Sequence, residues 1–135
     1  MEDKQNQIIT AIVLSSFILA LAYSFYFKID SAVDAAAYDK IAWNLVQGNG
    51  YKESADLPFD KDIAILRVGP GYEFFLAGIY YVFGHYIWIV WIIHALLSAA
   101  STYLAFLLSK EIFKKSWSFF IGAATASFMA FSPDL

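Results

Sequence analysis

Residues 8–27 read IITAIVLSSFILALAYSFYF and contain no charged side chain. A helix of this length, at roughly 1.5 Å per residue, is about 30 Å long and matches the hydrocarbon core of a bilayer. The competing interpretation is a signal peptide, which has a basic start and ends in small residues. Here the chain starts MEDK and the apolar run ends in aromatic residues. We therefore predict an uncleaved transmembrane helix.

Further apolar runs lie toward the carboxyl end. Residues 87–108 contain no Asp, Glu, Lys or Arg, and a helix of this length can span a membrane. Trp88 and Trp91 lie near its start, where tryptophans favour the headgroup region. Another apolar segment starts at Trp117. The predicted fold is an all-α membrane protein: transmembrane helices at 8–27 and 87–108, an outer loop at 28–86, a cytoplasmic turn at 109–116 and the start of a third crossing at 117–135.

The orientation follows from the lysines of the turn. Lys110, Lys114 and Lys115 lie close to the end of the second apolar run, and short basic loops stay on the cytoplasmic side. Residues 1–7 are then cytoplasmic and residues 28–86 are outside. Residues 28–68 carry five basic side chains, which weighs against this orientation, but their seven acidic side chains outnumber them. The predicted location is the plasma membrane, with several crossings.

Composition excludes several classes of function. Hydrophobic residues make up 60% of the chain, more than a small soluble domain can bury. The net charge of −3 gives no basic surface for nucleic acid, and the absence of cysteine excludes thiol chemistry and disulfides. His85 and His94 have no recognisable metal-ligand spacing. His94 is predicted to be a neutral histidine bonded to a neighbouring helix.

Two shorter helices are predicted in the outer loop. The first covers 34–47, preceded by a capping pattern at Ser31 and followed by Gly48, which suits the residue after a last turn. Its apolar face is expected to rest on the membrane surface. That face carries Asp34, Tyr38, Ile41 and Leu45. The second helix covers 70–83 and is too short to cross, so an interfacial or re-entrant position is predicted.

The order of the motifs in this loop indicates a family. Residues 34–51 read DAAAYDKIAWNLVQGNGY, and residues 67–84 read RVGPGYEFFLAGIYYVFG. The chain resembles the GT-C superfamily of membrane glycosyltransferases, in particular the protein O-mannosyltransferase and aminoarabinose-transferase relatives. That family has a first crossing, an outer helix of the type Asp-x-x-x-Tyr-x-x-Ile-Ala-x-x-Leu-x-x-Gly, an Arg-x-x-Pro-x-Tyr element and a short helix before the second crossing. The resemblance covers nearly the whole chain.

The resemblance implies a function. Such enzymes move a sugar from a polyprenyl-phosphate donor to an acceptor on the outer face, and Asp34 matches the catalytic acid. A carboxylate there can remove the acceptor hydroxyl's proton or hold a divalent metal against the leaving phosphate; no cofactor is certain. The implied substrate-binding residues are Arg67, Asp39, Tyr38 and Tyr72. The implied partners are the lipid-linked donor, membrane lipids and the remaining transmembrane helices of a longer protein, of which this chain is expected to be an amino-terminal fragment that is inactive alone.

Each of these residues also has a purely structural interpretation. Asp34 can cap a helix, Arg67 can anchor at the interface, Asp39 can be a solvated charge, and the two tyrosines can simply pack. The family's usual Glu and Arg are replaced by Ala35 and Ala37, which leaves Arg67 as the chain's only arginine. The alternative function is a small non-enzymatic membrane scaffold or assembly subunit, which would need no surface acid.

Overall fold

The computed structural model describes residues 2–27, 33–63, 70–113 and 118–131. These ranges contain helices and no strand, which confirms the all-α prediction. The five α-helices are α1 (Glu2–Phe27), α2 (Val33–Val46), α3 (Pro70–Phe83), α4 (Ile87–Ile112) and α5 (Ser118–Phe131), with a short 3₁₀ helix at Phe59–Lys61. The predicted cytoplasmic turn at 109–116 is helical up to Ile112.

The chain divides into two compact units. The first unit comprises Met1–Phe27 and Trp91–Leu135, and the second comprises Lys28–Val90. Helices α2 and α3 belong to the second unit, while α1, α5 and nearly all of α4 belong to the first.

Among the described residues, two helices are long and apolar enough to cross a membrane. They are Asp3–Phe27, in the first unit, and Ile87–Ile112, which belongs to that unit from Trp91 onward. Large apolar side chains on both helices are exposed, such as Ile18 at 61% and Leu108 at 62%. Exposed apolar surface of this extent is what lipid or a protein partner covers. Helix α5 is shorter and packs against α1.

The core of the first unit is small and apolar. Ile9, Phe106 and Ala126 form its buried centre. Gly122 of α5 lies so close to α4 that a Cβ atom there would be 2.8 Å from the Phe106 ring. This is the close approach that small residues allow between apolar helices.

Hydroxyl groups connect α1 and α4 within the same unit. The buried Ser16 Oγ lies 3.1 Å from the Oγ1 of Thr102, which is also buried, and 3.2 Å from the Oγ of Ser98. Hydroxyl pairs of this kind satisfy polar groups between apolar helices.

The second unit is built on α2 and α3, which pack against each other. Ile41 and Ala42 of α2 are fully buried, as is Tyr80 of α3, and Leu76 and Ile79 are nearly so. Of the predicted face of α2, Ile41 is buried but Asp34 is exposed, and the packed side also contains Ala37 and Asn44. Helix α3 packs against α2, and the position of α2 at a membrane surface stays a prediction. An amphipathic pattern shows only that one side of a helix is apolar, and it is the same whether a second helix or lipid covers that side.

Helix α2 ends as its sequence predicts. Gly48 has a φ of +78°, a left-handed conformation that favours glycine. The Gly48 N–H donates to the carbonyl of Leu45, and the Asn49 N–H donates to the carbonyl of Asn44. These two bonds form a Schellman motif, which turns the chain sharply into the loop at 49–63.

Candidate functional site

Asp34 lies in the first turn of α2, and its side chain is exposed. At that end of a helix the backbone N–H groups and the macrodipole favour a negative charge. The position therefore suits both roles considered for Asp34, a general base and a side chain that stabilises the helix. Ser31, the predicted capping residue, lies outside the described residues.

The tyrosines of the two sequence motifs meet in space. The ring centroids of Tyr38 in α2 and Tyr72 in α3 are 5.7 Å apart, with the ring planes at 79°. This edge-to-face arrangement is the favoured geometry for two aromatic rings. Burial raises the pKa of the Tyr72 phenol, and the negative charge of Asp39 raises it further. The Tyr72 hydroxyl therefore keeps its proton to a higher pH than an ordinary phenol does.

Asp39 is a bound carboxylate, so its interpretation as a solvated charge is wrong. The Tyr80 hydroxyl donates to Asp39 Oδ1 at 2.5 Å. The Nε2 atom of His85 lies 3.0 Å from both carboxylate oxygens. Because an ionised carboxylate can only accept, the imidazole N–H is the donor in this pair. Asp39 therefore connects α2 to Tyr80 of α3 and to His85, two residues beyond the end of α3.

His85 was not singled out for this role from the sequence. It follows Gly84, whose φ of +84° and N–H bond to the Tyr80 carbonyl end α3 in a left-handed cap. Its ring stacks on the Trp43 indole with centroids 4.6 Å apart and planes within 9°. The available signal was a polar side chain directly after a helix-ending glycine in otherwise apolar sequence.

Tyr80 is the buried member of this group, with 1% of its surface exposed. Burial raises the pKa of its phenol well above the usual value, and the hydrogen bond to Asp39 and that residue's charge add to the shift. The phenol is therefore a neutral donor. We name Asp39, Tyr80, His85 and Trp43 the Asp39 cluster.

Unlike Asp39, a second carboxylate of this unit, that of Glu73, is fully buried. Glu73, in the first turn of α3, has no exposed surface and accepts a hydrogen bond from the Tyr51 hydroxyl at 3.0 Å through Oε1. Its Oε2 atom has no hydrogen-bond partner among the described residues. Burial raises the pKa of Tyr51 to about 12, with the hydrogen bond to Glu73 as the next cause. The sequence analysis noted Glu73 only as a charge in a first turn.

The structure thus brings together Tyr38, Asp39 and Tyr72, while Asp34 lies one turn before Tyr38 on α2. Arg67 lies outside the described residues. Within the described ranges, no group of three or more His, Asp or Glu side chains could hold a metal ion. Comparisons of this chain with protein-family models, with curated proteins and with solved structures find no match.

Proposed function

We propose that this chain is part of a membrane glycosyltransferase that moves a sugar from a polyprenyl-phosphate donor to an acceptor hydroxyl on the outer face. One observation carries the proposal: the contact between Tyr38 and Tyr72. These are the tyrosines of the Asp-x-x-x-Tyr and Arg-x-x-Pro-x-Tyr elements, which are distant in sequence. Their contact supports the idea that the two elements form one site.

Asp34 is the proposed general base. Its carboxylate takes the proton of the acceptor hydroxyl while that oxygen bonds to the anomeric carbon of the sugar. The bond from the anomeric carbon to the phosphate oxygen breaks, and polyprenyl phosphate leaves with the electron pair. The side chain is exposed, so an acceptor hydroxyl can reach it, as a general base requires.

The substrate-binding roles are assigned by chemistry. The guanidinium of Arg67 is the group best suited to bind the donor phosphate, because its fork of N–H donors matches phosphate oxygens. Tyr38 and Tyr72 are proposed to line the sugar site, since aromatic rings combine an apolar face with a hydroxyl. Asp39 is now proposed to position the surrounding helices, because Tyr80 and His85 already occupy its oxygens.

The test is sugar transfer by membranes that contain the product of the complete reading frame, with a polyprenyl-phosphate sugar as donor. Asp34→Asn should lower the rate about 10²- to 10⁴-fold, the usual cost of losing a general base. Asn caps a helix about as well as Asp, so folding should be kept.

Two controls separate catalysis from folding. Asp60→Asn changes an exposed acid of the same loop and should leave transfer unchanged. Asp39→Asn keeps an oxygen acceptor for the Tyr80 hydroxyl, so we expect a small loss of rate. Protein amounts are compared by immunoblot. Near-normal transfer by Asp34→Asn would remove the catalytic assignment, and absence of any transfer by the wild-type protein would favour the scaffold alternative.

A further inference from the structure

A solvent-open groove of about 510 Å³ lies within the second unit, between α2 and the loop that follows it. Pockets for small ligands commonly have volumes of roughly 300–1,000 Å³, so this groove is large enough for one or two sugar rings. Its lining comes from α2 and from the loop and is mostly apolar, with a few polar and charged side chains among the apolar ones. The lining residues used below are Lys40, Trp43, Asn44, Glu53, Ser54 and Asp62.

The loop wall of the groove is fixed to α2 by hydrogen bonds. The buried Asp62 carboxylate accepts the backbone N–H of Glu53 at 2.9 Å and that of Ser54 at 2.8 Å. The Asn44 Nδ2 atom donates to the carbonyl of Lys52 at 2.9 Å. The wall therefore exists before a ligand arrives, and preorganisation lowers the entropy cost of binding.

The aromatic part of the groove is also held in place. The His85 ring stacks on the Trp43 indole, and Asp39 holds the Nε2 atom of His85. The orientation of the indole is thus set by the Asp39 cluster. A fixed indole gives a flat apolar surface on which a ligand can be placed at little entropic cost.

The charges of the groove indicate what it can bind. Lys40 contributes a cation to the lining, and Glu53 contributes a carboxylate. The opposite charges offset each other, which disfavours a phosphate or any strongly charged ligand. A neutral ligand with neighbouring donors and acceptors and one apolar face fits best. A sugar ring has these properties, since its hydroxyls both donate and accept and its C–H face packs on indole.

We propose that this groove is a binding site for a neutral carbohydrate, separate from the site at Asp34. Trp43 follows Asp34 by nine residues, which at roughly 100° per residue places it half a turn away, on the opposite side of α2. The carbohydrate site does not depend on the proposed transfer reaction. A peptide that binds by adding a strand is the less suitable ligand, because it needs a sheet edge and the described part of this unit contains no strand.

The test uses the full chain in lipid nanodiscs and saturation-transfer difference NMR. The probes are methyl glycosides of glucose, galactose and mannose, the neutral trisaccharide maltotriose, and a capped neutral tripeptide for comparison. We expect saturation of the sugar C–H protons in the wild-type protein. Lys40→Ala should weaken binding about tenfold, equivalent to about 1.4 kcal/mol. Trp43→Ala should abolish it.

Lys61→Ala is the matched control, because Lys61 is an exposed lysine of the same unit that does not line the groove. Lys40 is exposed as well, so its substitution tests binding even if Trp43→Ala also disturbs His85. Asp34→Asn should bind sugar normally, which separates this site from the proposed reaction. Absence of a sugar signal, equal binding by Lys40→Ala and Lys61→Ala, or preferential binding of the tripeptide would overturn the proposal.

Discussion

At the scale of single residues, the second unit is organised by carboxylates with neutral phenolic donors. Asp39 accepts the hydroxyl of Tyr80, and Glu73 accepts that of Tyr51. A buried hydroxyl without an acceptor would cost about 1–3 kcal/mol, so Asp39 satisfies a hydroxyl of a side chain that the packing buries. In the other pair it is the carboxylate of Glu73 that is buried. Both phenols keep their protons because their pKa values lie above the usual range.

The Tyr51–Glu73 pair predicts a loss of stability at high pH. The pKa of Tyr51 is about 12 in the folded protein against 10 for an ordinary phenol, so the folded state holds this proton more tightly. The resulting stabilisation is complete below pH 10 and is lost as the pH rises towards 12. The free energy of unfolding of the purified chain, measured by denaturant titration across this window, should therefore fall.

Tyr51→Phe isolates the contribution of this residue. The variant should be less stable than the wild type below pH 10, because Glu73 loses its hydrogen-bond donor, and its stability should fall less steeply between pH 10 and pH 12. Tyr80 and Tyr72 also have raised pKa values, so part of the decline should remain. Tyr26→Phe, at a residue 81% exposed, is the matched control. Parallel pH profiles for Tyr51→Phe and the wild type would contradict the prediction.

At the scale of elements, the helices were predictable and their partners were not. The 3.6-residue pattern and Gly48 predicted α2 to within a residue at each end. Nothing in that pattern says whether α3 or lipid covers the apolar face. The same limit applied to Asp39, whose partners follow it by 41 and 46 positions. Hydrogen bonds over such distances depend on how two helices pack, and a single sequence carries no direct record of that.

Helix α3 is predicted to lie at the outer interface. Its 14 residues rise about 21 Å, less than the roughly 30 Å of a hydrocarbon core, and Glu73 lies in its first turn. A spin label at Val82, whose side chain is 68% exposed, should report the headgroup or upper acyl region in a depth-sensitive measurement. A label at Leu97, near the middle of α4, is the control and should report the bilayer centre. Equal depths at the two positions would show that α3 enters the core.

At the scale of the whole molecule, large apolar side chains are exposed in both units. Helices α2 and α3 cover each other on one side only, and α3 still exposes Phe74, Tyr81 and Val82. Helices α1 and α4 also expose many large apolar side chains. In water such surface would drive aggregation, so these helices need lipid or further helices around them. The prediction that the first unit is embedded and that residues 28–86 lie outside rests on the two long apolar runs and on the lysines after the second run.

The orientation can be tested by cysteine labelling, because the chain contains no native cysteine and thus no background. Asp56, an exposed residue of the predicted outer loop, and Glu111, an exposed residue at the end of α4, are the positions to substitute. A membrane-impermeant maleimide added to intact cells should label Asp56→Cys. Glu111→Cys should react only after permeabilisation, because the lysines beside it hold that end in the cytoplasm.

The two positions must give opposite results, since one apolar crossing separates them under the predicted topology. Replacing Lys110, Lys114 and Lys115 by Gln tests whether these lysines determine the orientation, because it removes the charges on which the positive-inside rule depends. When Glu111→Cys is combined with this triple substitution, the impermeant maleimide should label a measurable fraction of the molecules in intact cells. Labelling of both single-cysteine variants in intact cells would show that α4 does not cross. Labelling of Glu111→Cys alone would show that the orientation is inverted and that the Asp34 region faces the cytoplasm.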